Sequence, residues 1–215
     1  YDNGTMYLVW GQTTAFGAEG CVGVVLEKDD NGIFSVAKSE TKAYLFDNEG
    51  YNSDGFGFYE GPSLGKLDNG SYYIYYPSGN GTETHSMAYA TADEPLGEYT
   101  YRGIIIDPAG TDKVADNCHG SLCKINGQWY AFYHRGVNGS YTRRVCVEPI
   151  TVQEDGTIEQ VEVSSRGFSG PLNPYEKVEA AYASRVWMPG SARSCYLEEE
   201  SKDLHFLTNL NENDC

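Results

Sequence analysis

The sequence predicts an all-β protein built from repeated antiparallel units. Eighteen tyrosines and 25 glycines in 215 residues favour strands and tight turns, because flat amphipathic rings pack well on pleated surfaces. A hydrophobic content of 40% with 13% aromatics is typical of a globular chain. A third observation is an Asn-Gly turn that recurs three times, each time followed by an aromatic strand. The sequence therefore predicts a repeat architecture made of strands.

The repeat occurs at residues 2–10, 68–76 and 125–133, where the aromatic positions coincide in register. The copies lie about 60 residues apart, a little more than the roughly 40 to 50 residues of common propeller blades. Each spacing is long enough for a four-stranded antiparallel unit with its loops. We therefore interpret the fold as a β-propeller.

Short strands precede two of the turns, because residues 63–67 match residues 121–125. The first strand of a propeller blade lies nearest the central axis, so residues just before it lie at the mouth of the axial channel. Glu60 and His119 occupy those places, and we expect both near one axial depression. The outer strands are predicted at residues 86–93, 99–106, 143–150 and 158–163.

The domain organisation follows from where the repeat ends. Residues 1–175 are interpreted as a partial propeller, and residues 167–174 are rich in Gly, Pro and Ser, as expected of an exit from the blades. Residues 176–215 are predicted to contain this exit and the start of an accessory β-domain. We further expect the propeller to be truncated at its N-terminal end, because Tyr1 opens within a strand-turn pattern.

The charge balance argues against several partners. The formal net charge of −16 repels phosphate backbones and anionic membrane surfaces, so we expect neither nucleic acid nor membrane as a partner. A neutral oligo- or polysaccharide is compatible with this charge, as is a plain acidic surface that keeps the protein in solution. Localisation stays open, with an extracellular or periplasmic place slightly favoured.

The cysteines and the Asn-Gly-Ser/Thr triplets suggest no further chemistry. Six cysteines lack paired C-x-x-C spacing, so we predict free thiols rather than a zinc site. The triplets are read as hairpin turns in preference to glycan acceptors. They begin at Asn3, Asn69, Asn80 and Asn138.

Five motif segments follow one another along the chain, at residues 58–63, 89–97, 117–121, 128–135 and 143–149. In this order they resemble glycoside hydrolase family 43, a family of α-L-arabinofuranosidases, β-xylosidases and arabinanases. The resemblance implies a five-bladed propeller with its active site in the axial depression. It also implies inverting hydrolysis of terminal α-L-arabinofuranosyl or β-D-xylosyl residues of hemicellulose-derived glycans, with a slight preference for arabinofuranosides.

The resemblance assigns the proton donor and its surroundings. Glu60 matches the general acid, a group that must hold its proton near neutral pH, which an aromatic-walled pocket favours. Phe58 is expected to form part of that wall and to bind substrate. Without the motif, Glu60 would be one of many surface acids beside a Gly-Pro turn.

Two further residues are matched to binding roles. His119 matches a histidine that helps to hold a central metal ion, often calcium, through water, or that lines the sugar site; a purely structural histidine is the plain alternative. Arg143 matches an arginine in the sugar subsite, where its fork of donors binds hydroxyl pairs or orients a carboxylate. Arg144 should point to the opposite face of the strand.

The sequence also departs from the family pattern. In the family, the general base is an aspartate of the first blade, and a second aspartate adjusts the pKa of the acid. Asp2 belongs to a turn and matches neither, so both aspartates are expected to lie outside residues 1–215. We therefore expect these residues by themselves to be inactive. Cys118 stands where the family usually has Asn, which weakens the expected metal shell.

Two other functions compete with hydrolysis of these sugars. A non-catalytic propeller that binds glycan or protein is compatible with the fold, since fold does not fix function. A fructan-cleaving propeller would require a Trp-Met-Asn-Asp-Pro-type segment and an Arg-Asp-Pro motif, which the sequence lacks.

Overall fold

The structure is a computed structural model, and its described part is all-β. No helix occurs in the described residues, so no described helix is long and apolar enough to cross a membrane. The prediction of an all-β fold is thereby confirmed. The described residues are 1–13, 18–37, 42–46, 57–79, 86–107, 118–136, 143–164, 167–168, 175–177, 196–201 and 204–208.

The strands form three larger antiparallel sheets and one separate hairpin. The first sheet consists of β1 (Met6–Gln12), β2 (Gly20–Lys28), β3 (Phe34–Val36) and β4 (Ala43–Tyr44). The second consists of β5 (Gly57–Phe58), β6 (Ser63–Lys66), β7 (Tyr72–Gly79), β8 (Ser86–Ala92) and β9 (Thr100–Ile106). The third consists of β10 (Gly120–Ile125), β11 (Gln128–Gly136) and β12 (Arg143–Ile150), and the hairpin of β13 (Tyr196–Ser201) and β14 (Leu204–Thr208).

The Asn-Gly turns adopt the backbone that this dipeptide favours. Asn3 and Gly4 have φ values of 47° and 86°, and Asn126 and Gly127 have 50° and 86°. Positive φ at both central residues is the requirement of a type I′ hairpin, and Asn-Gly meets it at the lowest steric cost. The turn interpretation of the triplets is confirmed at Asn3. It is also confirmed at Asn69, where only Gly70 has a positive φ, of 91°, and the Gly70 amide donates to the Leu67 carbonyl at 3.0 Å. The triplets at residues 80 and 138 lie outside the described residues.

The short strands before the turns also form as predicted. β6 pairs with β7 from Ser63↔Tyr75 to Lys66↔Tyr72, and β10 pairs with β11 in the same way in the next unit. Each turn therefore connects the two matched strands of its repeat unit, β6 with β7 and β10 with β11, and the segments just before β6 and β10 correspond to each other in the repeat.

The prediction of a strand at residues 158–163 is wrong. Ile158 and Val161 form only isolated bridges, and the Val161 bridge is to Ile106 of the second sheet. The segment is held instead by single hydrogen bonds to the second sheet: the Ile158 amide donates to the Tyr89 hydroxyl at 2.8 Å, and the Val161 amide donates to the Ile105 carbonyl at 2.9 Å. These separate bonds fasten the segment to the second sheet without a continuous ladder.

A buried carboxylate fixes the end of the same segment. Glu148 is 1% exposed, and its oxygens accept hydrogen bonds from the Ser164 amide at 2.6 Å, the Ser164 hydroxyl at 2.8 Å and the Tyr133 hydroxyl at 3.2 Å. A carboxylate at this depth requires such donors, since burial without them is costly. Glu148 is therefore a structural acid.

The second sheet lies between the other two and is buried on both faces. Strand alternation sends Tyr73 and Tyr75 into the core shared with the third sheet, and sends Ile74 and Tyr76 into the core shared with the first. β8 is buried along its whole length. The third sheet contributes Leu122, Ala131 and Tyr133 to the first of these cores, and the first sheet contributes Cys21 and Leu45 to the second.

Tyr73 makes the packing between the second and third sheets directional. Its hydroxyl donates to the Leu122 carbonyl at 3.0 Å, and its ring meets Trp129 edge-on at 6.4 Å between centroids. Gly65 makes room for this ring, because a Cβ there would lie 2.3 Å from the Tyr73 hydroxyl oxygen. The small residue in β6 thus allows the tyrosine to reach the neighbouring sheet.

An aspartate, a lysine and an aromatic residue form a clasp between neighbouring sheets. At the edge of the first and second sheets, the Asp2 carboxylate accepts hydrogen bonds from the Tyr72 hydroxyl at 2.6 Å and from Lys66 Nζ at 3.1 Å. Lys66 Nζ also lies 4.7 Å from the centroid of the Tyr72 ring. The Asn-Gly turn ahead of β1 is thereby fastened to β6 and β7 of the second sheet.

The same clasp recurs between the second and third sheets. The Asp68 carboxylate accepts hydrogen bonds from Lys124 Nζ at 2.7 Å and from Trp129 Nε1 at 3.0 Å. The Lys124 hydrogen bond, with a further contribution from Trp129, lowers the pKa of Asp68. In the third copy of the repeat, Ile125 occupies the position of the aspartate, so that turn carries no carboxylate for a third clasp.

We expect Asp68→Asn to lower Tm by roughly 1–4 °C at low salt and by less at high salt, since exposed ion pairs are weak and screened. A carboxyl group whose pKa is lowered by folding stabilises the fold at pH values above its unfolded pKa of 3.8. This stabilisation is lost as the pH falls through the lower pKa of the folded state. The difference in Tm between the two proteins should therefore shrink in acid.

The control for this measurement is Asp30→Asn, which removes the same charge from an exposed position between β2 and β3. Equal shifts in Tm for the two variants would mean that net charge alone, and not the clasp, explains the effect of Asp68.

Candidate active site

Glu60 lies where the first sheet is joined to the second. It follows β5 and precedes β6, and its main chain forms an antiparallel bridge with Gln12, the last residue of β1. The Thr13 amide donates to the Tyr59 carbonyl at 2.6 Å, and the Tyr59 amide donates to the Pro77 carbonyl at 3.1 Å. Main-chain hydrogen bonds on both sides therefore fix the backbone that carries Glu60.

The two predicted site residues that precede β6 and β10 are in contact. His119 Nε2 lies 3.1 Å from Glu60 Oε1, and the side chains are 34% and 27% exposed respectively. This distance is that of a hydrogen bond with a charged or neutral imidazole. Both side chains are partly buried yet still open to solvent, as expected of groups that meet a solute.

A second histidine supports the first. The ring of His134 stacks on His119 with 5.6 Å between centroids and 13° between planes, and the His134 amide donates to the His119 carbonyl at 3.0 Å. His134 lies in β11, the central strand of the third sheet. Its contact with His119 shows that this strand also orients the candidate site.

Gly61 allows His119 to approach Glu60. Its φ is +53°, in the left-handed region that glycine tolerates best. A Cβ at this position would lie 2.4 Å from His119 Nδ1, closer than any non-bonded contact allows. A glycine directly after the acid is therefore needed both for the turn and for the imidazole.

Phe58 is placed within a cluster of aromatic rings. It stacks on Phe46 at 5.4 Å and 14°, and its centroid is 5.5 Å from that of Tyr76. The side chain is partly buried and packs on the core between the first and second sheets. These contacts hold β5 ahead of Glu60, and substrate binding by Phe58 stays a prediction.

Arg143 lies at the same end of the third sheet as His119. It pairs with Gly136 at the start of β12, and Val145, two residues on, pairs with His134. Because alternate residues of a strand share a face, Arg143 lies on the face of the sheet that carries His134. The side chain is exposed, and its role in a sugar subsite stays a prediction.

Gln12 is a site residue that the sequence did not suggest. Its amide Nε2 lies 3.5 Å from Glu60 Oε2, at the long end of the hydrogen-bond range. No motif marks it, since it comes at the end of the first repeat strand and 48 residues before Glu60. The signal is the bridge between the sheets, which only the tertiary structure shows.

The described residues do not form a direct metal site at His119. They contain no group of three or more His, Cys, Asp or Glu side chains that could hold a metal ion, and His119 Nε2 faces Glu60. Calcium takes six to eight oxygen ligands, a set that one carboxylate and one imidazole do not supply. A calcium ion held through water near His119 stays a prediction.

The Glu60 carboxyl and the His119 imidazole are partly open to solvent and meet between antiparallel sheets. A site of this class is suited to proton transfer to or from a polar ligand. The family model of glycosyl hydrolases family 43 matches residues 1–158. The chain therefore belongs to glycosyl hydrolase family 43, and the resemblance found in the sequence is confirmed.

Curated relatives of this chain are named after enzyme activities that occur in this family. The chain is 37% identical over 147 residues to a xylosidase/arabinosidase of Thermoclostridium stercorarium. The aligned residues cover 63% of this chain and 30% of that protein. It is 33% identical over 108 residues to a β-xylosidase of Xylanibacter ruminicola, covering 49% of this chain and 31% of the relative. The chain thus spans less than a third of the length of these relatives.

Solved structures show the same fold. A GH43_1 enzyme from Xanthomonas citri matches with a TM-score of 0.58 and 25% identity, over 75% of this chain and 54% of the other. A β-xylosidase/α-arabinofuranosidase from a compost microbial metagenome, crystallised with xylotriose in a calcium-free form, matches with a TM-score of 0.57 and 27% identity over 75% and 55%. Both likenesses extend over three quarters of the chain.

Gly61→Ala should separate His119 from Glu60. The added methyl group collides with the imidazole, so we expect a crystal structure of the variant to show the Nε2–Oε1 distance beyond about 3.5 Å, the limit of a hydrogen bond. Gly70→Ala is the matched control, because Gly70 also has a positive φ, of +91°, but has nothing within 4 Å of its Cβ position. An unchanged His119–Glu60 contact in Gly61→Ala would contradict this account of the glycine.

Proposed function

We propose that the protein is an inverting glycoside hydrolase that removes terminal α-L-arabinofuranosyl or β-D-xylosyl residues from hemicellulose-derived oligo- or polysaccharides. The observation that carries the proposal is the partly buried Glu60 carboxyl in contact with His119, at the position to which the resemblance to the family assigns the acid. The names of the relatives support both sugars. A five-bladed propeller, with these sheets as consecutive blades, is the proposed architecture.

Glu60 is the proposed proton donor. Its carboxyl proton passes to the glycosidic oxygen while the bond from that oxygen to the anomeric carbon breaks, and water attacks the opposite face of the sugar. In inverting enzymes a second carboxyl group activates this water from about 6.5–9.5 Å away. No residue within 1–215 is assigned to that second role.

His119 and Arg143 are proposed to bind the sugar on either side of this chemistry. His119 is 34% exposed beside the acid, and its ring nitrogens match hydroxyl groups as donor or acceptor. Arg143 contributes a planar fork of donors from the same end of the third sheet. Phe58 is proposed to close the apolar side of the site, behind the acid.

The organisation of the chain is part of the same proposal. Residues 1–175 form the glycosidase region and residues 176–215 form its exit and the start of an accessory β-region. The hairpin of β13 and β14 supports a β-structure in the second of these segments.

Glu60→Gln in the intact protein tests the proton donor. We expect kcat on substrates with a sugar or alkyl leaving group to fall by roughly 10²–10⁴-fold, the usual contribution of a general acid. Substrates with a 4-nitrophenolate leaving group need little protonation and should be affected much less. The assay compares an arabinofuranoside and a xyloside of each kind.

The control for this assay is Glu159→Gln, an exposed acid outside the site, which should leave turnover unchanged. An equal loss on both kinds of leaving group would rule out Glu60 as the acid. Glycan binding without any turnover by the intact protein would favour the non-catalytic propeller instead.

Calcium held through water beside His119 is proposed as a structural ion. Removal of such an ion with a chelator should lower Tm, and added calcium should restore it, because a ligand of the native state stabilises it by mass action. Differential scanning fluorimetry with and without chelator measures this. A Tm that does not respond would leave His119 with a sugar-binding or positioning role alone.

A further inference from the structure

The Glu60 carboxyl is contacted by side chains from both neighbouring sheets. Glu60 belongs to the connection into β6 of the second sheet, whereas Gln12 ends β1 of the first and His119 precedes β10 of the third. Gln12 Nε2 lies 3.5 Å from Oε2, and His119 Nε2 lies 3.1 Å from Oε1. Each carboxyl oxygen therefore has its own nitrogen partner.

The main chain determines where the Gln12 amide lies. Pairing of β1 with β2 ends at Gln12↔Gly20, and at the same residue β1 forms the bridge to Glu60. The next amide, that of Thr13, donates to the Tyr59 carbonyl at 2.6 Å. The backbone of Gln12 is thus anchored opposite the acid, its exposed side chain starts beside Glu60, and a substitution there leaves these backbone bonds in place.

We propose that Gln12 is a positioning residue for the proton donor, whose amide N–H holds Glu60 Oε2 and stabilises the carboxylate formed during proton transfer. This rests on the proposed function of Glu60. When the proton leaves for the glycosidic oxygen and the C–O bond breaks, negative charge develops on the Glu60 carboxyl group. An N–H donor binds a carboxylate more strongly than a neutral acid, so the contact strengthens towards the transition state.

The chemistry of an amide suits this place better than that of a charged group. A lysine opposite Glu60 would keep the carboxyl ionised, and a second carboxylate would repel the product of proton transfer. A glutamine carries no charge, and it has an oxygen that accepts from the protonated acid as well as an NH₂ that donates to the carboxylate. Gln12 is therefore able to hold the acid before and after the proton moves.

The test uses Gln12→Leu and Gln12→Glu in the intact protein. Both remove the donor, and Gln12→Glu keeps the size and shape of the side chain. For substrates with a sugar or alkyl leaving group we expect kcat to fall roughly 5–20-fold with KM little changed, as for an interaction made in the transition state. Turnover of 4-nitrophenyl glycosides should stay within about twofold, since little charge then develops on Glu60.

The controls separate this inference from the proposed function. Gln160→Leu, at an exposed glutamine between Ile158 and Val161, should leave kcat unchanged for both kinds of substrate, and Tm is measured for every variant. A merely structural role of Gln12 would lower turnover of both substrate kinds together, and that result would overturn the inference.

The two proposals fail in different ways. If Glu60→Gln shows the leaving-group dependence while Gln12→Leu and Gln12→Glu do not, the role of Gln12 is wrong and the acid stands. If Glu60→Gln itself shows no such dependence, the proposed function is wrong. If Gln12→Leu lowers Tm, the role of Gln12 is judged from Gln12→Glu instead. The same comparison is made, between turnover of substrates with sugar or alkyl leaving groups and turnover of 4-nitrophenyl glycosides.

Discussion

The contact of the Glu60 carboxyl with Gln12 and His119 depends on how three sheets are stacked. The two partners come from the sheets on either side of the one that carries Glu60, at 3.5 and 3.1 Å. No single sheet contains the site. A small rotation of either outer sheet would separate a partner from the acid, because side chains of this length span only a few ångströms. The candidate site is therefore a product of the packing between sheets.

The second sheet provides the fixed reference for this packing. Its central strands are buried on both faces, with tyrosines on one face and with Ile74, Tyr76 and small residues on the other. Burial of apolar area at about 25 cal/mol per Å² supplies most of the attraction between the sheets, since exposed ion pairs such as the Asp68–Lys124 pair add little. We infer that the aspartate clasps define how each sheet is oriented at its edge, while the cores supply the stability.

Corresponding segments of the repeat meet at the candidate site. Glu60 and His119 both lie in the short segment just ahead of the first repeat strand of their units, β6 and β10, so stacking the units brings one against the other. In the alignment of the repeat, His119 corresponds to Gly61, and Gly61 allows the approach because it has no Cβ to collide with the imidazole. The repeat thus supplies the geometry, and the different residues of the two segments supply the chemistry: a carboxyl group in one unit and an imidazole in the next.

The sequence by itself determined the all-β fold class, the Asn-Gly turns, most strand positions and the family, because these features depend on local periodicity and short motifs. It also placed Glu60 and His119 near each other, since corresponding segments of stacked units become neighbours. Only the tertiary structure decided that Gln12 reaches the acid, that His134 supports His119 and that residues 158–163 make isolated contacts with the second sheet instead of forming a strand. Those contacts are made through side chains and isolated bridges, which leave no periodic pattern in the sequence.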